Sequence, residues 1–129
     1  MLVKRYMNAS PVTILDDCDY KAAFSIMDEH GIHHLPVINK RHEVVGLTSL
    51  RDLQIAARRY LESPVEIREV MHKATPVAYA EDSLANAARL MRENHCDCLP
   101  VMDNNNHVVG MLTETDMLQA LSDLLADKS

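Results

Sequence analysis

The chain reads as an α/β protein, of the α+β kind, built from two copies of a strand-helix-strand-strand-helix repeat. Three observations carry that reading. Sliding the sequence on itself by 64 positions lays Leu35-Pro36-Val37 on Leu99-Pro100-Val101, and Val44-Val45-Gly46 on Val108-Val109-Gly110. It also lays Met27, Glu29 and Asp52 on Met91, Glu93 and Asp116, which makes nine identities between residues 27 and 53. Within each copy the apolar residues alternate between helical spacing and short runs bounded by polar turns. At 129 residues, 47% apolar and 25% charged, the chain fits one globular domain. A copy of about 50 residues buries too little surface alone, so the two are expected to share a core.

Each copy opens on a Pro-Val strand, Ser10-Pro11-Val12 in the first and, after a one-residue slip, Thr75-Pro76-Val77 in the second. A helix follows. Asp19 is placed to cap the segment from Tyr20, with Ala23, Ile26 and Met27 on one face and Gly31 as its stop. In the second copy Ser83 caps a helix carrying Leu84, Ala87, Ala88 and Met91. Two short strands come next. His34–Ile38 turns through Asn39-Lys40-Arg41-His42 into Glu43–Thr48, and Cys98–Met102 turns through Asp103–Asn106 into His107–Leu112. A last helix begins near Leu50, carrying Leu53, Ala56 and Ala57, and near Glu114, carrying Met117, Leu118, Leu121 and Leu125. The repeats are expected over residues 6–60 and 70–126, with 61–69 as a connector broken at Pro64.

Composition narrows the function classes. A formal charge of -6 opposes binding to phosphate backbones, and with no Trp and one Phe, Phe24, there is no aromatic platform for single-stranded bases. Nucleic acid is not an expected partner. No run of eighteen apolar residues occurs and the N-terminus reaches Lys4 before any apolar stretch develops, so neither a membrane span nor a secretory signal is read. Three cysteines, an odd count, suit a reducing compartment. The expected location is cytoplasmic.

Both copies write Gly-x-x-Ser/Thr-x-x-Asp: Gly46, Ser49 and Asp52, then Gly110, Thr113 and Asp116. The hydroxyl falls where strand gives way to helix, so it and the first-turn amides are expected to face an anion. The carboxylate three residues on can accept two hydrogen bonds side by side, which suits the vicinal diol of a ribose. Glycine lets a ligand come close to the backbone. The same spacing also describes a capping box that merely starts a helix. Asp reaches back to its cap less well than Glu, and the pattern occurs twice with its glycine, which favours a ligand site.

Ser/Thr-Pro-Val, Leu-Pro-Val, Val-Val-Gly and Ser/Thr-x-x-Asp, twice in order, resemble the cystathionine beta-synthase (CBS) domain, here as the tandem pair called a Bateman module, over residues 6 to 126. The resemblance implies two copies packed through their sheets with pseudo-twofold symmetry, and two clefts for adenosine-containing ligands such as AMP, ADP, ATP or S-adenosylmethionine. It implies regulation, not catalysis. By position, the first cleft takes Ser49 and Asp52 with Thr75, Pro76 and Val77, and has Cys96 and Asp97 beside the adenine. The second takes Thr113 and Asp116 with Ser10, Pro11 and Val12, and has Ile32 near the base. The residues just before Leu-Pro-Val are expected near the phosphates of their own copy: His33 and His34 in the first cleft, Asp97 and Cys98 in the second.

The two sites therefore differ in charge. Arg51 with two imidazoles favours phosphate in the first; Glu114 and Asp97 oppose it in the second. Thr48 departs from the family pattern, which has an apolar residue there, and Arg58 and Arg59 fit a solvated helix face. The rival reading is a metal- or redox-responsive protein built on His95-Cys96-Asp97-Cys98, with His30, His33 and His34 at the equivalent place; Cys-x-Cys on a strand puts both sulfurs on one face. No nucleophile has a visible base and orienting partner, so no enzyme is read. With no output segment outside the repeats, the expected role is a freestanding regulator. It would act on an effector protein that the sequence does not name, and would form a homodimer for which Leu118, Leu121 and Leu125 offer an apolar stripe.

Overall fold

The computed structural model describes residues 1–73 and 75–126. The chain divides into a continuous unit, residues 12–75, and a split unit in which residues 1–11 join the segment from Pro76 onward. The continuous unit runs β1 (Ile14–Leu15), α2 (Tyr20–His30), β2 (His34–Ile38), β3 (Val44–Ser49), α3 (Leu50–Tyr60) and a 3-10 turn, Ile67–Glu69. The split unit runs α1 (Val3–Tyr6), β4 (Ala78–Tyr79), α4 (Leu84–Asn94), β5 (Cys98–Met102), β6 (Val108–Thr113) and α5 (Glu114–Ala126). Each repeat therefore has the expected order.

Both sheets have three strands, in orders β1-β2-β3 and β4-β5-β6. The first strand of each runs parallel to the middle one, and the third runs antiparallel to it. The opening strands differ from the expectation. They are Ile14–Leu15 and Ala78–Tyr79, not the Pro-Val pairs, because proline has no N–H for a ladder and the pairing starts only beyond it. Thr13 is the extra residue behind the one-residue slip: Val77 directly precedes β4, whereas Thr13 separates Val12 from β1.

A proline in the middle of a central strand needs a reason, and the register supplies it. Pro36 stands opposite Leu47, and Leu47 turns both backbone groups away from β2, exchanging two hydrogen bonds with His72 (3.0 and 2.9 Å). The Pro36–Leu47 pair is thus a non-hydrogen-bonded one, where no N–H is asked of the proline. Pro100 is excused in the same way, because Met111 exchanges its bonds with Asn8 (3.0 and 2.8 Å).

The helices start and stop on the expected residues. Asp19 accepts from the Lys21 amide at 2.9 Å, Gly31 closes α2 in the left-handed region, and Ser83 accepts from the Asn86 amide at 3.1 Å. Tyr20, Ala23, Leu35, Val37, Leu53 and Ile67 form the core of the continuous unit. Ile67, inside the stretch expected to connect the repeats, is fully buried, and its amide donates to the Cys18 carbonyl at 2.7 Å. Val3, Ala78, Leu84, Leu99, Val101 and Leu112 form the core of the split unit. No helix among the described residues is long and apolar enough to cross a membrane.

Candidate functional site

The repeated Ser/Thr-x-x-Asp sits at the junction of the third strand and last helix of each unit. In the continuous unit the Ser49 amide donates to Asp52 Oδ2 at 2.9 Å and the Asp52 amide donates to Ser49 Oγ at 3.1 Å. In the split unit the Thr113 amide and hydroxyl donate to Asp116 Oδ2 at 2.9 and 3.1 Å, and the Asp116 amide reaches Thr113 Oγ1 at 3.4 Å. Aspartate does close the capping box here, despite its shorter reach. One carboxylate oxygen of each Asp is committed to the helix start; the other is left for a second partner.

The expected cradle of free first-turn amides is smaller than the sequence suggests. The Leu50 amide donates to the His33 carbonyl (2.8 Å) and the Glu114 amide to the Asp97 carbonyl (3.0 Å), while the Asp52 and Asp116 amides serve the boxes. That leaves at most the Arg51 and Thr115 amides for an anion. The expected role of the glycines is also overturned. A Cβ on Gly46 would stand 2.6 Å from both the Met71 sulfur and the His72 carbonyl oxygen; one on Gly110 would stand 2.8 Å from the Met7 sulfur and 2.7 Å from the Asn8 carbonyl oxygen. The space is filled by the protein's own strap, not by a ligand.

Those same carbonyl bonds bring the residues preceding Leu-Pro-Val alongside the motif. His33 and His34, the latter paired with Ser49, flank the Asp52 junction, where Arg51 is exposed. Asp97 and Cys98, the latter paired with Thr113, flank the Asp116 junction, where Glu114 is exposed. The fields differ accordingly. The Cys96 thiol is raised by burial, then by the Asp97 carboxylate, with a smaller contribution from Glu114. Ile32 lines a groove of about 490 Å³ with His33 and Leu50, and Cys96 lines one of about 360 Å³ with Glu114 and Met117. Thr75 and Val12 belong to the continuous unit; Ser10, Pro11, Pro76 and Val77 belong to the split one. Ser10 donates its amide to Asn8 Oδ1 (3.0 Å), and Thr75 its hydroxyl to the His72 carbonyl (3.3 Å).

Compared with known proteins, residues 3–58 and 67–123 each match the CBS domain. The chain belongs to the CBS-domain family. A CBS domain-containing protein of Dictyostelium discoideum is 30% identical over 141 residues, covering 97% of this chain and 94% of that protein. A homoserine O-acetyltransferase of Methanocorpusculum labreanum is 32% identical over 125 residues, 97% of this chain, but only 25% of the relative's length is spanned. The CBS domain pair of protein MJ0100, crystallised with 5′-methylthioadenosine and S-adenosyl-L-methionine, superposes with a TM-score of 0.83 at 26% identity, covering all of this chain and 98% of that one.

Within this CBS pair, Cys98 is a poor candidate for the thiol-exchange form of the redox alternative. Cys98 is fully buried, and burial first, then Asp97 and Cys96, pushes its thiol up to about 12. A thiol so raised is mostly protonated at neutral pH, whereas thiol exchange needs the thiolate. One residue at the site escaped the sequence reading: His72, whose Nε2 lies 2.9 Å from Asp52 Oδ1. The only hint was Met71 aligning with Met7, which places His72 opposite Asn8.

Proposed function

We propose that this CBS pair is a regulatory sensor of adenosine-containing ligands, AMP, ADP, ATP or S-adenosylmethionine, read at the two strand-helix junctions. The observation that carries the proposal is the divided use of each aspartate. One oxygen is fixed in the capping box, so the carboxylate is oriented before any ligand arrives, and the other oxygen, which at Asp52 meets only the exposed His72 imidazole among the described residues, is the proposed acceptor for a ribose hydroxyl. The relative crystallised with methylthioadenosine and S-adenosylmethionine supports the adenosine class. Ser49, Arg51, Asp52, His33 and His34 serve one junction; Thr113, Asp116 and Asp97 serve the other, and Cys96, Ile32, Thr75–Val77 and Ser10–Val12 complete the proposed binding set. A ligand that favours one arrangement of the chain shifts its population, and an effector protein reads the shift. Self-association through the exposed Leu118 and Leu121 of α5 belongs to the same proposal.

Charge assigns phosphorylated ligands to the Asp52 junction. A like-charge contact such as phosphate against Asp97 or Glu114 costs on the order of a few kcal/mol at an effective dielectric near 20, roughly a hundredfold in affinity. Calorimetry with AMP and ATP tests this: Asp52→Ala is expected to lose binding by at least about tenfold, while Asp116→Ala leaves it nearly unchanged. Equal losses would remove the asymmetry. Failure of AMP, ATP and S-adenosylmethionine alike to bind at millimolar concentration would end the sensing reading.

A further inference from the structure

The two CBS repeats are alike at their aspartates and unlike in what stands before them. Asp52 meets an imidazole, His72 Nε2 at 2.9 Å from Oδ1, the very oxygen that the capping box leaves over. At the equivalent place in the other repeat stands Asn8, whose side-chain oxygen is turned back to the Ser10 amide, and no partner of Asp116 Oδ1 is seen among the described residues. His72 is held by its backbone through two bonds to Leu47, but its side chain is 73% exposed while that of Asp52 is 13% exposed. The imidazole can swing away without disturbing the sheet.

We propose that His72 is a proton-dependent latch on the Asp52 junction: its charged imidazole pairs with the oxygen a ribose hydroxyl needs, so ligand must displace it, and the Asp116 junction has no such latch. The proposal rests on the sensing reading and deepens it. Imidazoles gain charge between about pH 5 and 8, so the competition is strongest on the acid side. The elements against His72 are β3, which carries no charged side chain, and α3, where Asp52 is the only carboxylate within ion-pair distance of it among the described residues. The other charged groups around the pair are Arg51 and Arg59 on α3, the latter lining a small pocket with Asp52 and Glu69, and Arg68, Glu69 and Lys73 on the segment of His72 itself.

The probe is 5′-methylthioadenosine, which carries the diol without a titrating phosphate, measured by calorimetry in an Asp116→Asn background so that only the Asp52 junction is read. Binding is expected to be about fivefold weaker at pH 6 than at pH 8. Adding His72→Asn, or His72→Gln if the first variant folds poorly, should bring that ratio to about one by tightening the pH 6 value. An unchanged ratio in the His72 variants would overturn the latch. Asp52→Asn in the same background separates the two layers. If it abolishes binding while His72→Asn does nothing, the latch falls and the sensing reading stands; if it changes nothing at either pH, both fall.

Discussion

The Met71 sulfur occupies the place of a Cβ on Gly46, 2.6 Å from where that carbon would be, and the His72 carbonyl oxygen is as close. Met7 stands in the same relation to Gly110. Gly46→Ala and Gly110→Ala should each destabilise the protein by about 1–3 kcal/mol, the range for overpacking a tight contact, read as a lowered urea midpoint. Adding Met71→Ala to Gly46→Ala should restore only part of the loss, because the backbone carbonyl cannot yield as a thioether can. Full recovery would mean the side chain alone sets the requirement.

Thr48 is fully buried, and its hydroxyl has no hydrogen-bond partner among the described residues, while Leu112 holds the same place in the other repeat. An unpaired buried hydroxyl costs about 1–3 kcal/mol. Thr48→Val keeps the shape and removes the polar atom, so it should raise the melting temperature; a drop would show that the hydroxyl is satisfied in solution.

Val3 is fully buried beside Ala78, Leu84 and Leu99, and its amide donates to the Asp82 carbonyl at 2.8 Å. Val3→Ala should cost about 2 kcal/mol through the cavity it leaves. Hydrogen exchange should then quicken first in β4, β6 and α5, the elements that contact α1, rather than in the continuous unit. Uniform quickening would argue against the division into two units.

Cys98 gives a signature at alkaline pH. Its thiol is pushed from 9.0 to about 12, chiefly by burial. A group that binds its proton more tightly when folded contributes fully below its unfolded value, and the contribution is lost as pH rises through the folded value. Stability should therefore fall between about pH 9 and 12, and Cys98→Ala should flatten that part of the urea-midpoint profile. In native protein at pH 8 Cys98 should resist alkylation until denaturant is added.

Much of the fold was legible because its signals are local. Gly31, Asp19 and Ser83 each announce a helix end by their own chemistry, and the 64-residue repeat let each copy check the other. Leu-Pro-Val read as a strand although its proline argues against a central one; the explanation, Leu47 bonded to His72 and Met111 to Asn8, lies in pairings between distant residues that no spacing reveals. The site was half legible for the same reason. Ser49 and Asp52 share one helical turn and could be paired by count, and the duplicated glycine was visible, but its purpose was misread because Met71 is remote in sequence. His72 left only the indirect mark of its neighbour Met71 aligning with Met7: it differs from Asn8 itself, and a repeat argument sees only what the copies share.

That residues 1–11 pack with the segment beyond Pro76 has a bearing on how the chain is born. As it leaves the ribosome, the continuous unit is finished once residue 75 has emerged, while α1 must wait for strands made more than seventy residues later. Loop closure over that span is slow to reward, so the nascent protein passes through a stage with one half assembled and its first helix unclaimed. Val3, buried only once Ala78, Leu84 and Leu99 have arrived, is an apolar side chain left bare at that stage.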